Sequence, residues 1–575
     1  MPDRDSCVAV RGVNETAHKF ILRAGTEVGQ ASLANVGKDV VDLDIAAVRN
    51  AQNVNNIVSV RTISSEPCEE FAHLQPVLDT LPAELTPLER DEAITFIKSY
   101  ADVFSKGKFD LGRTSLITHH INTGTAKPIR QPLRRHPQVY LDIIDTEISK
   151  MEAAGVIEPS YSPWASNVVV VKKYDTTPRI TLDYRQLNSV TYKDSYPLPN
   201  ITDCLDAFRG ASYFAVLDLR SSFYQVPLAE EDRDKTAFIT RKGQWRFRSL
   251  PMGLSNSPGT FQRLMDMVLR GLTWTSVLVY IDDIVVYASS HKELRDRLVA
   301  MFQRLRDANL KLKPSKVQLF QRQIKFLGNI VSGKGVAVDN SKVTEITQWA
   351  VPRNVHKICL FLGLCSYYRR YVKDFAAHAA PLHELTKKDN PYIWDDQKQE
   401  SFDFLKNALT TAPILAMSRD DGTYVLDVDA SDRAMGAVLQ QEQEGMLRVI
   451  GYASRIFNSC EIKYCITCKE LAAIIFGLKQ YHQYLLGRRF IIRSDHAALL
   501  YLRSAKELIG QQARWLDFIE EFNFDFQHTA GTSQGNADAL SRKHSPSDTS
   551  SCTQCRKRGI VRTDSRDTVD ACQDA

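Results

Sequence analysis

Two adjacent aspartates, Asp282 and Asp283, stand between the β-branched runs SVLVY and IVVYAS. Such runs favour strands, so the pattern predicts a tight hairpin with the acids at its turn. Neighbouring carboxylates repel unless positive charge lies between them, and hard divalent cations with oxygen ligands supply it. A second apolar run, Phe214 to Leu217, ends in Asp218 and offers a third carboxylate. Three such groups can hold two ions roughly 4 Å apart, one activating an attacking hydroxyl and one stabilising a leaving group. Against this stands a bland reading, since Asp favours turns for conformational reasons alone.

The surroundings decide between the two. In order along the chain stand WASNVVVVKK, RITLDYRQLN, VLDLRSSFYQVPL, KTAF, LPMGLSNSPGTFQRLMD, VYIDDIVVYA and KFLGNIVSGKG. Together these motifs resemble the reverse transcriptases of gypsy-like LTR retrotransposons and, more distantly, of retroviruses. The resemblance implies a right-hand fold of fingers, palm and thumb, with Asp218, Asp282 and Asp283 as catalytic metal ligands in the palm. It places Arg179 and Lys172 or Lys173 on the fingers, where fixed cations meet the triphosphate of the incoming nucleotide. Phe223 matches the bulky aromatic that closes on the sugar and excludes a ribose hydroxyl, so the product would be DNA. Ser222 stands where many relatives have Gly. Met252 lies where relatives set Phe or Gln against the nucleotide; it can pack there but cannot bond as Gln does. Phe326-Leu327-Gly328 resembles the hairpin that holds the primer.

A further set of acids follows in separated segments: Asp429 in DVDAS, Glu470 in CKELAAIIFGL, Asp495 in RSDHAAL and Asp538 in GNADALSR. Taken singly, each is the kind of carboxylate that usually lies on a solvated surface. By order and context the four resemble the metal-binding acids of ribonuclease H. That resemblance implies two Mg²⁺ ions, with Mn²⁺ as the alternative, activating water to hydrolyse RNA. Asp427, two residues before Asp429 and on the same strand face, is a local competitor. Cys468 stands where many relatives carry another Glu, which leaves the role to Glu470.

The elements needed to position these groups are legible in outline. LYLDIIDTEISKMEAAG reads as a helix closed by Gly155, WASNVVVVKKY as a buried strand, and HKELRDRLVAMFQRLRDANLK as an amphipathic helix. The last carries Leu294, Leu298, Met301, Phe302 and Leu305 on one stripe, which reads as core. The expected class is an α+β and α/β multidomain protein: right-hand polymerase, helical connection and ribonuclease H-like domain. Residues 1–85 form a poorly defined N-terminal segment and 86–139 a helix with an extended Pro- and Arg-rich connector. The polymerase fingers, palm and start of the thumb span 140–335, thumb and connection 336–420, and the nuclease 421–543. A polar tail, 544–575, is expected to stay disordered.

At 575 residues the chain exceeds one ordinary core, while 43% apolar and 25% charged residues suit globular protein. No apolar run reaches membrane-spanning length, and no secretory leader opens the chain. Eleven scattered cysteines suit a reducing compartment. The resemblance adds a cytoplasmic virus-like particle, with nuclear entry open as a later step. A net charge of +5 does not by itself imply a polyanionic partner. Two basic clusters, Lys127/Arg130/Arg134/Arg135 and Lys311/Lys313/Lys316/Arg322/Lys325, are as consistent with solvated surface as with phosphate contacts. The implied partners are an RNA template, a DNA primer, RNA–DNA hybrid, dNTPs and other products of the same element. Ile121-Asn122-Thr123-Gly124 lacks the carboxylate an aspartic protease needs. Cys465/Cys468 and Cys552/Cys555 have half-site zinc spacing without a shared context. With no integrase-like segment following, strand transfer is expected from elsewhere. The rival reading is a decayed element that binds nucleic acid without catalysis; presence of all the carboxylates speaks against it.

Overall fold

The computed structural model describes residues 39–42, 61–64, 69–172, 178–388, 390–495 and 510–528. They fall into two compact units. The first comprises Met1–Tyr192, Leu217–Ser257 and Phe302–Gln318; the second comprises Lys193–Val216, Pro258–Met301 and Leu319–Ala575. The predicted strand run HKFILRAGTEVGQASL and the polar tail lie outside the described residues, as does Asp538.

In the first unit, helix α1 (Pro87–Ser99) starts at a capping box: the Thr86 hydroxyl accepts from Glu89 N, and the Glu89 carboxylate accepts from Thr86 N. Helix α2 (Gln138–Ala153) ends before Gly155, whose φ of +67° is open to glycine at little cost. Strands β1 (Ile157–Pro159), β2 (Ser166–Lys172) and β3 (Pro178–Leu182) are followed, beyond β4 (Tyr213–Asp218), by β5 (Phe238–Thr240) and β6 (Gly243–Phe247). The sheet order is β1-β6-β5-β2-β3. Strand β2 was expected to be buried; only Val168 is fully so among its valines, while Val171 is 48% exposed. One face of a sheet suffices for the core, and the outer residues of β2 face water. The Pro- and Arg-rich segment is extended as expected and is tied to this unit by the isolated bridge Arg130 to Ala165, while bridges Phe104 to Leu312 and His119 to Leu228 fasten the chain that precedes it.

In the second unit, helix α3 (Ile201–Asp206) leads into β4, then α4 (Ser257–Val268) leads to hairpin β7 (Val277–Tyr280) and β8 (Asp283–Ala288). Helix α5 (His291–Asp307) begins in this unit, and all five residues of its predicted stripe are buried. With β9 (Gln318–Gln321) the sheet order is β9-β4-β8-β7. Strands β10 (Gln323–Phe326), β11 (Asn329–Ser332) and β12 (Gly335–Val338) form an antiparallel three-stranded sheet. Helices α6 (Val355–Tyr367), α7 (Phe375–Glu384) and α8 (Asp396–Thr410) share a core with Phe208, Phe214, Val285 and Phe326.

The C-terminal region of this unit is a five-stranded mixed sheet. Its strands are β13 (Tyr424–Ala430), β14 (Ala434–Gln443), β15 (Met446–Ile456), β16 (Arg489–Ser494) and β17 (Asn523–His528), in the order β15-β14-β13-β16-β17. The first three strands pair antiparallel; β16 runs parallel to both β13 and β17. Helices α9 (Ile466–Gln480), α10 (His482–Leu485) and α11 (Gln511–Glu520) accompany it. Gly477 lets α9 lie close on the sheet, because a Cβ there would meet Val428 Cγ1 at 3.1 Å. Among the described residues no helix is long and apolar enough to cross a membrane.

Candidate active sites

Asp283 pairs with Tyr280 in the β7–β8 hairpin, so Ile281 and Asp282 alone form its turn. Ile281 takes φ +55°, a costly conformation for a β-branched residue that persists only where neighbours hold it. The holder is Gln262 on α4, only 2% exposed: its Oε1 accepts from Ile281 N at 3.0 Å and its Nε2 donates to the Val279 carbonyl at 3.3 Å. In the sequence Gln262 stands out only as a member of the motif LPMGLSNSPGTFQRLMD.

Asp218, the last residue of β4, is described with the first unit. Its Oδ2 lies 2.6 Å from Lys316 Nζ, and its carbonyl accepts from Lys313 N at 2.8 Å. In the sequence Lys316 is marked only as a member of the basic cluster Lys311/Lys313/Lys316/Arg322/Lys325. Gln225, fully buried, braces the same place: its Nε2 donates to the carbonyls of Arg220 (2.8 Å) and Lys311 (3.0 Å), and its Oε1 accepts from Lys311 N. Phe223 is half-buried in the 3-10 turn Ser222–Gln225, entered through Ser221 at φ +45°. Arg179 and Met252 meet, with Arg179 Nη2 2.6 Å from the Met252 sulfur. Lys172 closes β2 opposite Pro178, and Lys173 lies outside the described residues.

The second acid cluster is gathered by the mixed sheet. Asp427 pairs with Arg493 across parallel β13 and β16, so two residues further on Asp429 and Asp495 emerge at the same edge. Helix α9 brings Glu470 to them, and carboxylate oxygens of Asp429, Glu470 and Asp495 lie within 4.8 Å of one another. Asp427 is left out: Gln440 donates to one of its oxygens, and the other is buried without a partner. Burial, then repulsion from Asp429 and Asp495, pushes the Glu470 carboxyl up to about 8. Asp429 is raised by burial first and by Asp495 second. Glu470 Oε2 is buried with no hydrogen-bond partner. An orphaned buried oxygen among three repelling acids fits a divalent cation, and an all-oxygen donor set suits a hard one. Cys468 is buried on α9, and among the described residues no metal-binding cluster includes a cysteine.

Two family models match these regions: reverse transcriptase (RNA-dependent DNA polymerase) over residues 171–331, and the RNase H-like domain found in reverse transcriptase over 420–522. Foamy viral protease-reverse transcriptase in complex with double-stranded DNA shares the fold, with a TM-score of 0.73 at 21% identity, covering 85% of this chain and 86% of that one. The molecule is therefore of the class that joins a reverse transcriptase to a ribonuclease H-like domain. Among curated proteins it is similar to Pol polyproteins of Drosophila melanogaster: transposon 412 (31% identical, 86% of this chain, 41% of the relative), transposon 297 (36%, 75% and 41%) and transposon gypsy (32%, 77% and 44%). It is thus similar to gypsy-type retrotransposon Pol proteins, and it spans about two fifths of the length of the first two of these relatives.

Proposed function

We propose that the chain is an RNA-directed DNA polymerase and a ribonuclease H, copying retrotransposon RNA into DNA and hydrolysing RNA in the resulting hybrid. The observation that carries the reading is the convergence of Asp429, Glu470 and Asp495 in a domain of the nuclease family. Asp538 would complete that set. Asp218, Asp282 and Asp283 would serve as the polymerase ligands. Mg²⁺, with Mn²⁺ as a substitute, would lower the pKa of the attacking hydroxyl or water and neutralise charge on the leaving oxygen.

The chain's own residues bind and orient. Arg179 with Lys172 or Lys173 meets the triphosphate, Phe223 packs against the sugar where a 2′-hydroxyl would sit, and Met252 packs beside the nucleotide. Gln262 holds the turn that aims Asp282, and Gln225 holds the backbone following Asp218. The partners are an RNA template, a DNA primer, dNTPs and other products of the element; relatives in the foamy viruses were solved with double-stranded DNA and with RNA/DNA hybrid. The setting is a cytoplasmic virus-like particle, with nuclear entry at a later stage.

The test is extension of a DNA primer on end-labelled RNA by the purified protein with Mg²⁺. Extension together with RNA shortening supports both activities. A folded protein that binds hybrid and does neither refutes the reading in favour of a decayed element.

A further inference from the structure

Helix α3 ends at Asp206, and the strand that follows it, β4, lies directly beside β8 of the aspartate hairpin. The Asp206 carboxylate accepts a hydrogen bond from the hydroxyl of Tyr484 on α10, a residue of the nuclease core. Three residues after Asp206, Arg209 pairs with Asp420, and Arg488 reaches the same Asp420 with Nη2 to Oδ1 at 3.3 Å and Nη1 to the carbonyl at 3.1 Å. Arg370, between α6 and α7, adds positive charge: its Nη2 meets the Ile450 carbonyl at 3.5 Å and its Nη1 is buried without a hydrogen-bond partner.

The two attachments differ in weight. Asp420 is 79% exposed, and an ion pair so solvated contributes little. Asp206 and Tyr484 are desolvated, so each would leave a buried polar group stranded if the other withdrew. Tyr484 is 8% exposed. Two attachment points, Asp206 on Tyr484 and Arg209 joined through Asp420 to Arg488, also resist rotation about either one. Segment Lys193–Val216 accordingly shares a compact unit with the nuclease sheet.

We propose that Asp206 and Tyr484 are positioning residues that hold the nuclease centre at a set distance along an RNA–DNA hybrid from the growing primer end. The place at which RNA is cut is then fixed by the fold. The proposal rests on the two-activity reading above.

The experiment uses the full chain, Mg²⁺, and a hybrid of end-labelled RNA with a recessed DNA primer; cuts are mapped from the primer terminus in a single turnover. Hydrogen exchange at residues 201–206 and 482–485 is followed in the same samples. Wild type gives one narrow cluster of cuts. Tyr484→Phe, which removes one hydroxyl, spreads the cuts to either side and speeds exchange, as the docked-to-undocked ratio falls by roughly tenfold, the effect of one buried hydrogen bond to a charged group. Primer extension and total cleavage of a long hybrid without a recessed end stay unchanged. Asp206→Asn, which keeps an acceptor, stays closer to wild type. A narrow cluster that survives Tyr484→Phe overturns the proposal, as does a wild type with no preferred distance. A wild type that cuts no RNA overturns the two-activity reading and this proposal with it, which separates that failure from the others.

Discussion

The two acid centres are built on opposite plans. Asp282 and Asp283 are neighbours in sequence, presented by a two-residue turn whose strain is restrained by one buried side chain, Gln262. Asp429, Glu470 and Asp495 come from two parallel strands and a helix, and they are brought together against burial and mutual repulsion. Local geometry dominates the first centre and desolvation the second. Damage to the hairpin should therefore stay local, whereas the nuclease cluster should show its cost in stability as well as in activity.

The largest effects should come from the acids themselves. Asp282→Asn is expected to lower primer extension at least a thousandfold, on the order of 4 kcal/mol of barrier, while sparing RNA hydrolysis. Glu470→Gln should do the reverse. Loss of both activities in either folded variant would mean that the two centres are not independent.

Next in size is the pH dependence of the metal-free protein. The Glu470 carboxyl is raised from 4.5 to about 8, so the unfolded chain releases this proton first. Its contribution is thus favourable below about 4.5 and is lost as pH rises toward 8, by on the order of 2–4 kcal/mol. Thermal unfolding of the nuclease domain in EDTA should fall across that window, and Glu470→Gln should flatten the fall. Mg²⁺ should reverse it, because the ion binds the ionised form. A metal-free melting temperature that rises with pH would show that burial of Glu470 carries no such cost.

Smaller still is Gln262→Ala. Freeing the Ile281 turn should slow extension by roughly tenfold, about 1–2 kcal/mol, and leave RNA hydrolysis unchanged. Equal loss of both activities would instead point to general unfolding. Smallest is Thr86→Ala, which removes the α1 cap: about 1 kcal/mol of stability by denaturant unfolding, with neither activity altered.

Much of the architecture is visible in the chain before any coordinates. The 3.6-residue stripe of α5 recurs where it was expected, because a side chain's periodicity is a property of its own element. The exposure of β2 was not visible, since a run of valines reads alike whether one face or both are covered. Lys316 looked like one cation among several until the fold set it against Asp218, ninety-eight positions away.

Sequence alone determined which residues are chemically equipped: adjacent aspartates at a turn, and further acids in strand and helix contexts that mark a second site. It could do so because carboxylate chemistry and local propensity travel with the residue. Only the tertiary structure decided which acids meet. Strand order and parallel pairing place Asp429 beside Asp495, α9 adds Glu470, and Asp427, two residues from Asp429, is turned instead toward Gln440. Desolvation and charge coupling depend on distances between elements far apart in the chain, and those distances exist only once the sheet has formed.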